Sequence, residues 1–387
     1  MALLAVPLGP ELPLTLLAAL VFFTLISSSS SRNSIPPDLG TAIGLFTGST
    51  LVSCLLSISL KVSIIASLSF IPALFLFIVI ANVFTADHLE MLSTTLSLTA
   101  LLIACIFCFV AVSNPGLSAQ GWMDIAGYPH FGVPNDLGIL AIMGVFSVAN
   151  LCFRSRTFTK YLSVLTLLSV LACLVLYKSR GSIVTLTLTT IIIMSFTRPR
   201  QIAAALAIIL AIILAIDLST GLSFFSKVME IERLTVRLPL WMSALHMFAD
   251  APLFGLGPGA YSLAYQEYVS QLELPSWILV SQRHMPWPHN LYLELLAERG
   301  FSGLLTFLLF ITALYRTAWI THRGGVTAKG STTLLAAVFA LTALLISGMY
   351  ESSLIRHWVL IMYFLIAGAL CAAWKSQAAH YRPNTTG

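Results

Sequence analysis

The chain has 387 residues, of which 58% are hydrophobic and 9% charged, with a mean hydropathy of +0.93 and a formal net charge of +5. A soluble globular domain carries roughly 25% charged residues, so this composition excludes a water-soluble globule. The Lys and Arg residues stand singly or in small groups at the ends of apolar runs, which excludes a nucleic-acid-binding arm and is typical of basic residues that orient a membrane protein.

The apolar runs predict membrane-spanning helices. Many of them reach about 17 to 24 residues, enough to cross a hydrocarbon core of roughly 30 Å. Every backbone amide in such a core must be bonded within its own segment, which a helix achieves. The predicted fold class is therefore all-α, a polytopic transmembrane helical bundle of about 11–12 spans. The spans we assign are 13–29, 41–60, 63–85, 93–112, 137–153, 161–177, 182–196, 201–216, 301–319, 331–347 and 355–373.

Basic connections orient the bundle. Placing them in the cytoplasm is consistent with the spans between them, and the connections 113–136, 178–181, 217–300 and 348–354 then face outward. We predict N-terminal transmembrane helices in 1–216, an outward loop domain with short helices in 217–300, and C-terminal transmembrane helices with a short cytoplasmic tail in 301–387. The bases that define the inner side are Arg154, Arg156, Lys160, Arg198, Arg200, His322, Arg323, Lys329, Lys375 and Arg382.

The first candidate for chemistry is the turn from Lys178 to Ser182. Its two cations, Lys178 and Arg180, stand on an outward connection, against the positive-inside bias. Either they extend to the lipid headgroups or they hold a phosphate group, for which the planar guanidinium of Arg180 is well suited.

The second candidate surrounds Arg237. Pro239 is placed to begin a helix that ends near Asp250, with Trp241 beside its apolar face, and this pattern predicts a helix along the membrane surface. Free amides at a helix N-terminus attract anions, and Arg237 just ahead of it would strengthen such a site. The alternative is a surface arginine paired with Glu230 or Glu232. The glycines of 254–261 that follow predict a tight turn closing the loop domain.

The third candidate is His289, between Pro288 and Asn290. Asn290 is a natural N-cap, residues 291–299 predict a short amphipathic helix, and Gly300 predicts its end. His289 is thereby placed at a helix start, where an imidazole can act as a general base, although a structural histidine is the commoner case. His284 is the competing histidine.

Together these segments resemble the O-antigen ligase and O-antigen polymerase superfamily of bacterial envelope glycosyltransferases. The ligase pattern is His, then Asn, Ser or Gln, nine residues, Gly, two residues, Gly, and His289 to Gly303 matches it in full. Arg237 with Trp241 and the segment 251–259 is very like the family's loop, and Ser179-Arg180-Gly181 is a third match. The predicted spans differ in number from the twelve usual in the ligases.

The resemblance implies an inverting, metal-independent glycosyl transfer that requires no cofactor, in the inner membrane with the site facing the periplasm. The donor would be a glycan on undecaprenyl diphosphate and the acceptor a hydroxyl of lipid A–core oligosaccharide. Arg180 and Arg237 match the family's arginines and would stabilise charge on the leaving diphosphate, while His289 would take the acceptor proton. The substrate-binding residues we assign in addition are Lys178, Arg233, Asn290, Trp241, Tyr350 and Arg356.

Other functions remain open from the sequence. An O-antigen or exopolysaccharide polymerase, whose acceptor is another lipid-linked repeat unit, is the nearest alternative, and a protein O-glycosyltransferase is a third. A polysaccharide transporter or lipid-carrier flippase belongs to another class. Transporters place ionisable groups near the membrane midplane. The predicted spans are nearly free of charge, which argues against a transporter. A charged pair buried in the membrane would favour one.

Overall fold

The computed structural model describes residues 35–113, 137–153, 156–219, 221, 235, 237–275, 277–278, 280, 285, 287–324, 328–350 and 352–380. Within these ranges the regular structure is helical, which confirms the predicted all-α fold. The helices are α1 (Pro37–Leu55), α2 (Leu60–Ser67), α3 (Phe70–Val83), α4 (Ala86–Ser113), α5 (Gly138–Phe153), α6 (Thr157–Leu176), α7 (Arg180–Thr197), α8 (Ile202–Ser219), α9 (Arg237–Asp250), α10 (Tyr261–Ser270), α11 (Leu291–Arg323), α12 (Ala328–Gly348) and α13 (His357–His380).

The predicted spans match the observed helices. Each span predicted after residue 40 coincides with a helix, and α2 and α3 together form the one predicted at 63–85. Nine segments of the described chain are long and apolar enough to cross a membrane, and α5 is a shorter apolar helix. The first predicted span, 13–29, lies outside the described residues.

One end of the bundle collects the basic connections. Arg156, ahead of α6, lies 3.6 Å from the Glu90 carboxylate near the start of α4. The Lys375 ammonium donates to the Asn82 carbonyl, and Arg316 pairs with Asp38. We call this the basic end. The opposite end, which we call the loop end, carries the described residues 56–59, 177–180, 237–275, 287–290, 349–350 and 352–356.

At the loop end, helix α11 is interrupted at Gly300, which has a φ of 63° and a ψ of −165°. The interruption leaves the carbonyls of Ala297 and Glu298 without helical partners, and they accept from the Leu256 amide at 2.9 Å and the Gly257 amide at 2.8 Å. On the other side of the break, the amides of residues 301 and 302 donate to the carbonyls of residues 252 and 253. We call residues 252–259 together with Gly300 the glycine joint.

The glycine joint leaves no room for side chains at its closest contacts. Gly255 and Gly257 have φ values of 67° and 107°, which glycine adopts without steric cost. A Cβ on Gly255 would overlap the backbone of Glu298 and Arg299, and one on Gly257 would overlap Ser57. The predicted tight turn is thus confirmed, and it packs between α11 and the α1–α2 corner.

The α1–α2 corner is a part of the loop end that the sequence did not indicate. The Ile58 amide donates to the Leu256 carbonyl at 3.0 Å, and the Ser53 hydroxyl donates to the Glu298 carbonyl at 2.8 Å. Ser63 donates to the Pro258 carbonyl at 2.9 Å. The glycine joint is therefore bonded on both of its sides to membrane helices, which fixes the loop segment on the bundle.

The predicted short helix at 291–299 is present and is interrupted at Gly300, but its charged side chains do not face solvent. Its charged residues Glu294, Glu298 and Arg299 are fully buried, because they bond to one another and to the backbone of neighbouring segments. The Arg299 guanidinium lies 3.4 Å from the Glu298 carboxylate. The Tyr261 amide donates to Glu298, and the Leu354 amide donates to Glu294 at 3.0 Å. These partners belong to loop-end segments, so the cluster lies ahead of the predicted span 301–319 rather than near a membrane midplane.

Replacing Gly300 with alanine should destabilise the protein by about 1–3 kcal/mol or more, because alanine is strained at this φ and its Cβ would overlap the Leu253 backbone. Thermal unfolding in detergent measures the effect. Gly44 in α1 is the matched control, because a Cβ there meets open space, and Gly44→Ala should be neutral or stabilising by about 0.5–1 kcal/mol. Equal melting temperatures for Gly300→Ala and the wild type would show that the break does not need glycine.

Candidate active site

His289 stands at the start of α11, at a backbone φ of 53°. Asn290 caps the helix as predicted, since its side-chain oxygen accepts from the amides of Tyr292 at 3.0 Å and Leu293 at 3.1 Å. Its side-chain nitrogen donates to the Met349 carbonyl at 3.0 Å. One asparagine thus fixes the helix start and ties it to the end of α12.

Two tryptophans hold the segment around His289. The Trp241 indole, on α9, donates to the Pro288 carbonyl at 3.1 Å. The Trp287 indole donates to His289 Nδ1 at 3.3 Å, and the two rings lie edge to face with centroids 5.5 Å apart. The guanidinium of Arg356 lies over the Trp287 ring, 4.4 Å from its centroid. The imidazole is therefore fixed by its neighbours on the same loop and by an arginine that precedes α13.

Arginine charges act on His289 from two elements. Burial lowers the pKa of His289 to about 3, and the positive charges of Arg237 and Arg356 contribute to this shift. Arg237 is the first residue of α9, and Arg356 is buried just ahead of α13. A buried imidazole that feels the charge of two guanidinium groups resists taking up a proton, so this place favours negative charge from a ligand.

The turn that contains Arg180 is joined to the same region through Tyr350. Arg180 begins α7, and the Tyr350 hydroxyl donates to the neighbouring Gly181 carbonyl at 2.9 Å and also bonds the Thr185 hydroxyl. Tyr350 directly follows Met349, whose carbonyl accepts from Asn290. A bonded path thus runs from the Arg180 turn to His289. Lys178 lies in that turn with a φ of 56°.

The structure brings together the predicted residues His289, Arg237, Trp241, Asn290, Tyr350 and Arg356 and joins the Arg180 turn to them. Arg233 and His284 lie outside the described residues. The predicted helix around Trp241 is confirmed as α9, whose buried face packs against α10 and α11 in a core of its own. Sequence reasoning missed Trp287, although its position two residues before His289 was a signal available in the sequence.

The described residues contain no group of three or more His, Cys, Asp or Glu side chains that could hold a metal ion. Among the described residues, the charged groups that act on the pKa of His289 are the guanidinium groups of Arg237 and Arg356. Guanidinium binds phosphate oxygens through two parallel hydrogen bonds. The arrangement suits a ligand with a phosphate or diphosphate group.

We expect His289 to remain neutral between about pH 5 and 8, the range in which an ordinary histidine titrates. Arg237→Gln and Arg356→Gln should each raise the pKa of His289, because each substitution removes a positive charge that disfavours the imidazolium form. A pH titration of histidine-labelled protein by NMR measures these values, and Arg316→Gln at the basic end is the control that should leave them unchanged. A wild-type midpoint near the ordinary value of 6.5 would contradict this electrostatic picture.

Comparison with known proteins connects this site to a family. Residues 162–308 match a family model described as O-antigen ligase. The matched range runs from α6 into α11 and contains Arg180, Arg237 and His289. A search of curated proteins finds no match. The family and the apolar helices indicate a multi-pass membrane enzyme of the glycosyltransferase type, with activity of the ligase or polymerase kind. Residues 162–308 of this chain are thus similar to the O-antigen ligase family.

Proposed function

We propose that this protein is an inverting glycosyltransferase that passes a glycan from undecaprenyl diphosphate to a hydroxyl of lipid A–core oligosaccharide. The reaction would take place at the periplasmic face of the bacterial inner membrane, where the loop end would lie. The observation that carries the proposal is the placement of His289 among Arg237, Arg356 and the Arg180 turn. This placement supports the proposal, because the arginines would bind the diphosphate next to an imidazole that could act as a base.

The chemistry assigns a role to each residue. The bond between the anomeric carbon and the bridging phosphate oxygen breaks, and that oxygen gains negative charge. Arg237 and Arg180 would stabilise this charge, since fixed cations act strongly in a site that excludes water. The acceptor oxygen forms the new bond to the anomeric carbon from the opposite face, and its proton passes to His289 as general base.

Donor binding would also change His289. The two arginine charges that lower its pKa are the ones that a bound diphosphate would neutralise. A nearby anion stabilises imidazolium, so the basicity of His289 would rise once the donor is in place. Burial in the free site would then keep the base inactive until a substrate arrives.

The proposed reaction assigns a different part to the membrane helices and to the loop domain. We propose that the helices of 1–216 and 301–387 form the membrane scaffold and that 217–300 is the loop domain that carries Arg237 and His289. The buried cluster at Glu294, Glu298 and Arg299 does not favour a transporter, because its partners Tyr261 and Leu354 are loop-end residues.

His289→Ala, Arg237→Ala and Arg180→Ala should each lower transfer by about 10²–10³-fold, the range measured when one transition-state-stabilising group is removed. The assay is complementation of a deletion of this gene, read on a lipopolysaccharide gel together with the pool of lipid-linked glycan. The matched controls are His246→Ala on the exposed face of α9 and Arg316→Ala at the basic end, which should restore the wild-type ladder.

The deletion itself distinguishes the acceptors. Bare lipid A–core with polymer accumulating on undecaprenyl diphosphate supports the ligase. Core that carries a single repeat unit would show that the protein is the polymerase. An unchanged ladder would contradict both and direct attention to another glycan or to protein glycosylation.

A further inference from the structure

The hydrogen bond between Trp287 and His289 determines which nitrogen of the imidazole carries the proton. An indole N–H donates and cannot accept, so the His289 Nδ1 atom at 3.3 Å must be the acceptor. A neutral imidazole has one N–H and one bare nitrogen. With Nδ1 bare, the proton of neutral His289 is on Nε2.

The groups around Trp287 and His289 preserve this hydrogen bond. Burial and the charges of Arg237 and Arg356 favour the neutral imidazole. Only this neutral form has two tautomers, because imidazolium carries a proton on both nitrogens. Arg356 is 7% exposed, and its guanidinium lies over the Trp287 ring at 4.4 Å. A cation over an aromatic face is attracted to it, so Arg356 holds the indole in the orientation that points its N–H at His289.

We propose that Trp287 is a positioning residue that fixes the tautomer of His289, so that the ligand-free site presents the Nε2–H group as a hydrogen-bond donor. The tautomer assignment stands on the Trp287–His289–Arg356 contacts, and its link to catalysis rests on the proposed function. The ligand atom that Nε2–H would meet is an oxygen of the diphosphate or of the glycan.

This assignment sets a condition on the general-base step. Nε2 cannot accept a proton while it already carries one. The hydrogen bond from Trp287 must open, and a water molecule or a ligand oxygen must take the proton from Nε2 while Nδ1 receives a proton from the same carrier. The Nε2 lone pair can then take the proton of the acceptor hydroxyl. The acceptor O–H bond then breaks as the N–H bond forms, and His289 becomes imidazolium. A site without the acceptor would therefore not activate a water molecule at Nε2, and the lipid-linked donor would be protected from hydrolysis.

The test is ¹⁵N NMR of the full-length protein, labelled at histidine and held in detergent or nanodiscs near neutral pH. The signal of His289 is assigned by its loss in His289→Asn. We expect a protonated Nε2 and a bare, hydrogen-bonded Nδ1 in the wild type. Trp287→Phe keeps a ring beneath Arg356 and removes the N–H, so it should produce a mixture of the two tautomers. Trp277→Phe, at an exposed tryptophan of the same loop region, is the matched control and should leave the His289 signals unchanged.

Two outcomes would overturn the assignment: a wild-type His289 protonated on Nδ1, or a Trp287→Phe protein with unchanged tautomer populations and a wild-type melting temperature. This readout does not depend on the reaction, so it is informative even if the proposed glycosyl transfer is wrong. In a transfer assay, Trp287→Phe should raise kcat by up to roughly 10-fold, because part of the His289 population would already have a bare Nε2; this is a part of the 10²–10⁴-fold that a positioned proton-transfer group contributes. An unchanged kcat with redistributed tautomers would refute the link to catalysis.

Discussion

The interruption of α11 at Gly300 is the constraint on which the loop end depends. A helix that ended there would leave carbonyls exposed inside the protein, where an unbonded polar group is costly. The amides of the glycine joint bond these carbonyls instead, and the joint in turn lies against the α1–α2 corner. Because α9 precedes the joint and His289 lies just ahead of α11, this set of backbone bonds positions the two halves of the candidate site relative to each other.

Buried charge at the loop end follows from the same arrangement. Glu294, Glu298 and Arg299 lie on the short helical segment before the break. The Glu298 carboxylate accepts from the Tyr261 amide and the Glu294 carboxylate from the Leu354 amide. Charged groups are tolerated away from water when they are paired and hydrogen-bonded. The cluster therefore bonds the segment to the start of α10 and to the strip between α12 and α13, which carries Arg356.

The sequence predicted what depends on local pattern. The spans after residue 40, the cap at Asn290 and the helix end at Gly300 follow from hydropathy, capping and glycine conformation, and the structure has them all. The burial of Glu294 and Glu298, the contact of the α1–α2 corner and the stacking of Arg356 on Trp287 were not predictable, because each depends on residues far apart in the chain. The catalytic roles of Arg180, Arg237 and His289 stay predictions.

Asn290 shows how a short pattern can combine two separate functions. The ligase pattern permits asparagine, serine or glutamine after the histidine, and all three have a side-chain oxygen. In this chain the amide oxygen caps α11 while the amide nitrogen reaches the Met349 carbonyl. Serine would keep the cap but is too short to span both partners. A relative with serine at this position would have to connect the histidine loop to the end of α12 by other atoms. Members of the family can therefore differ at this position in how rigidly His289 is joined to Tyr350.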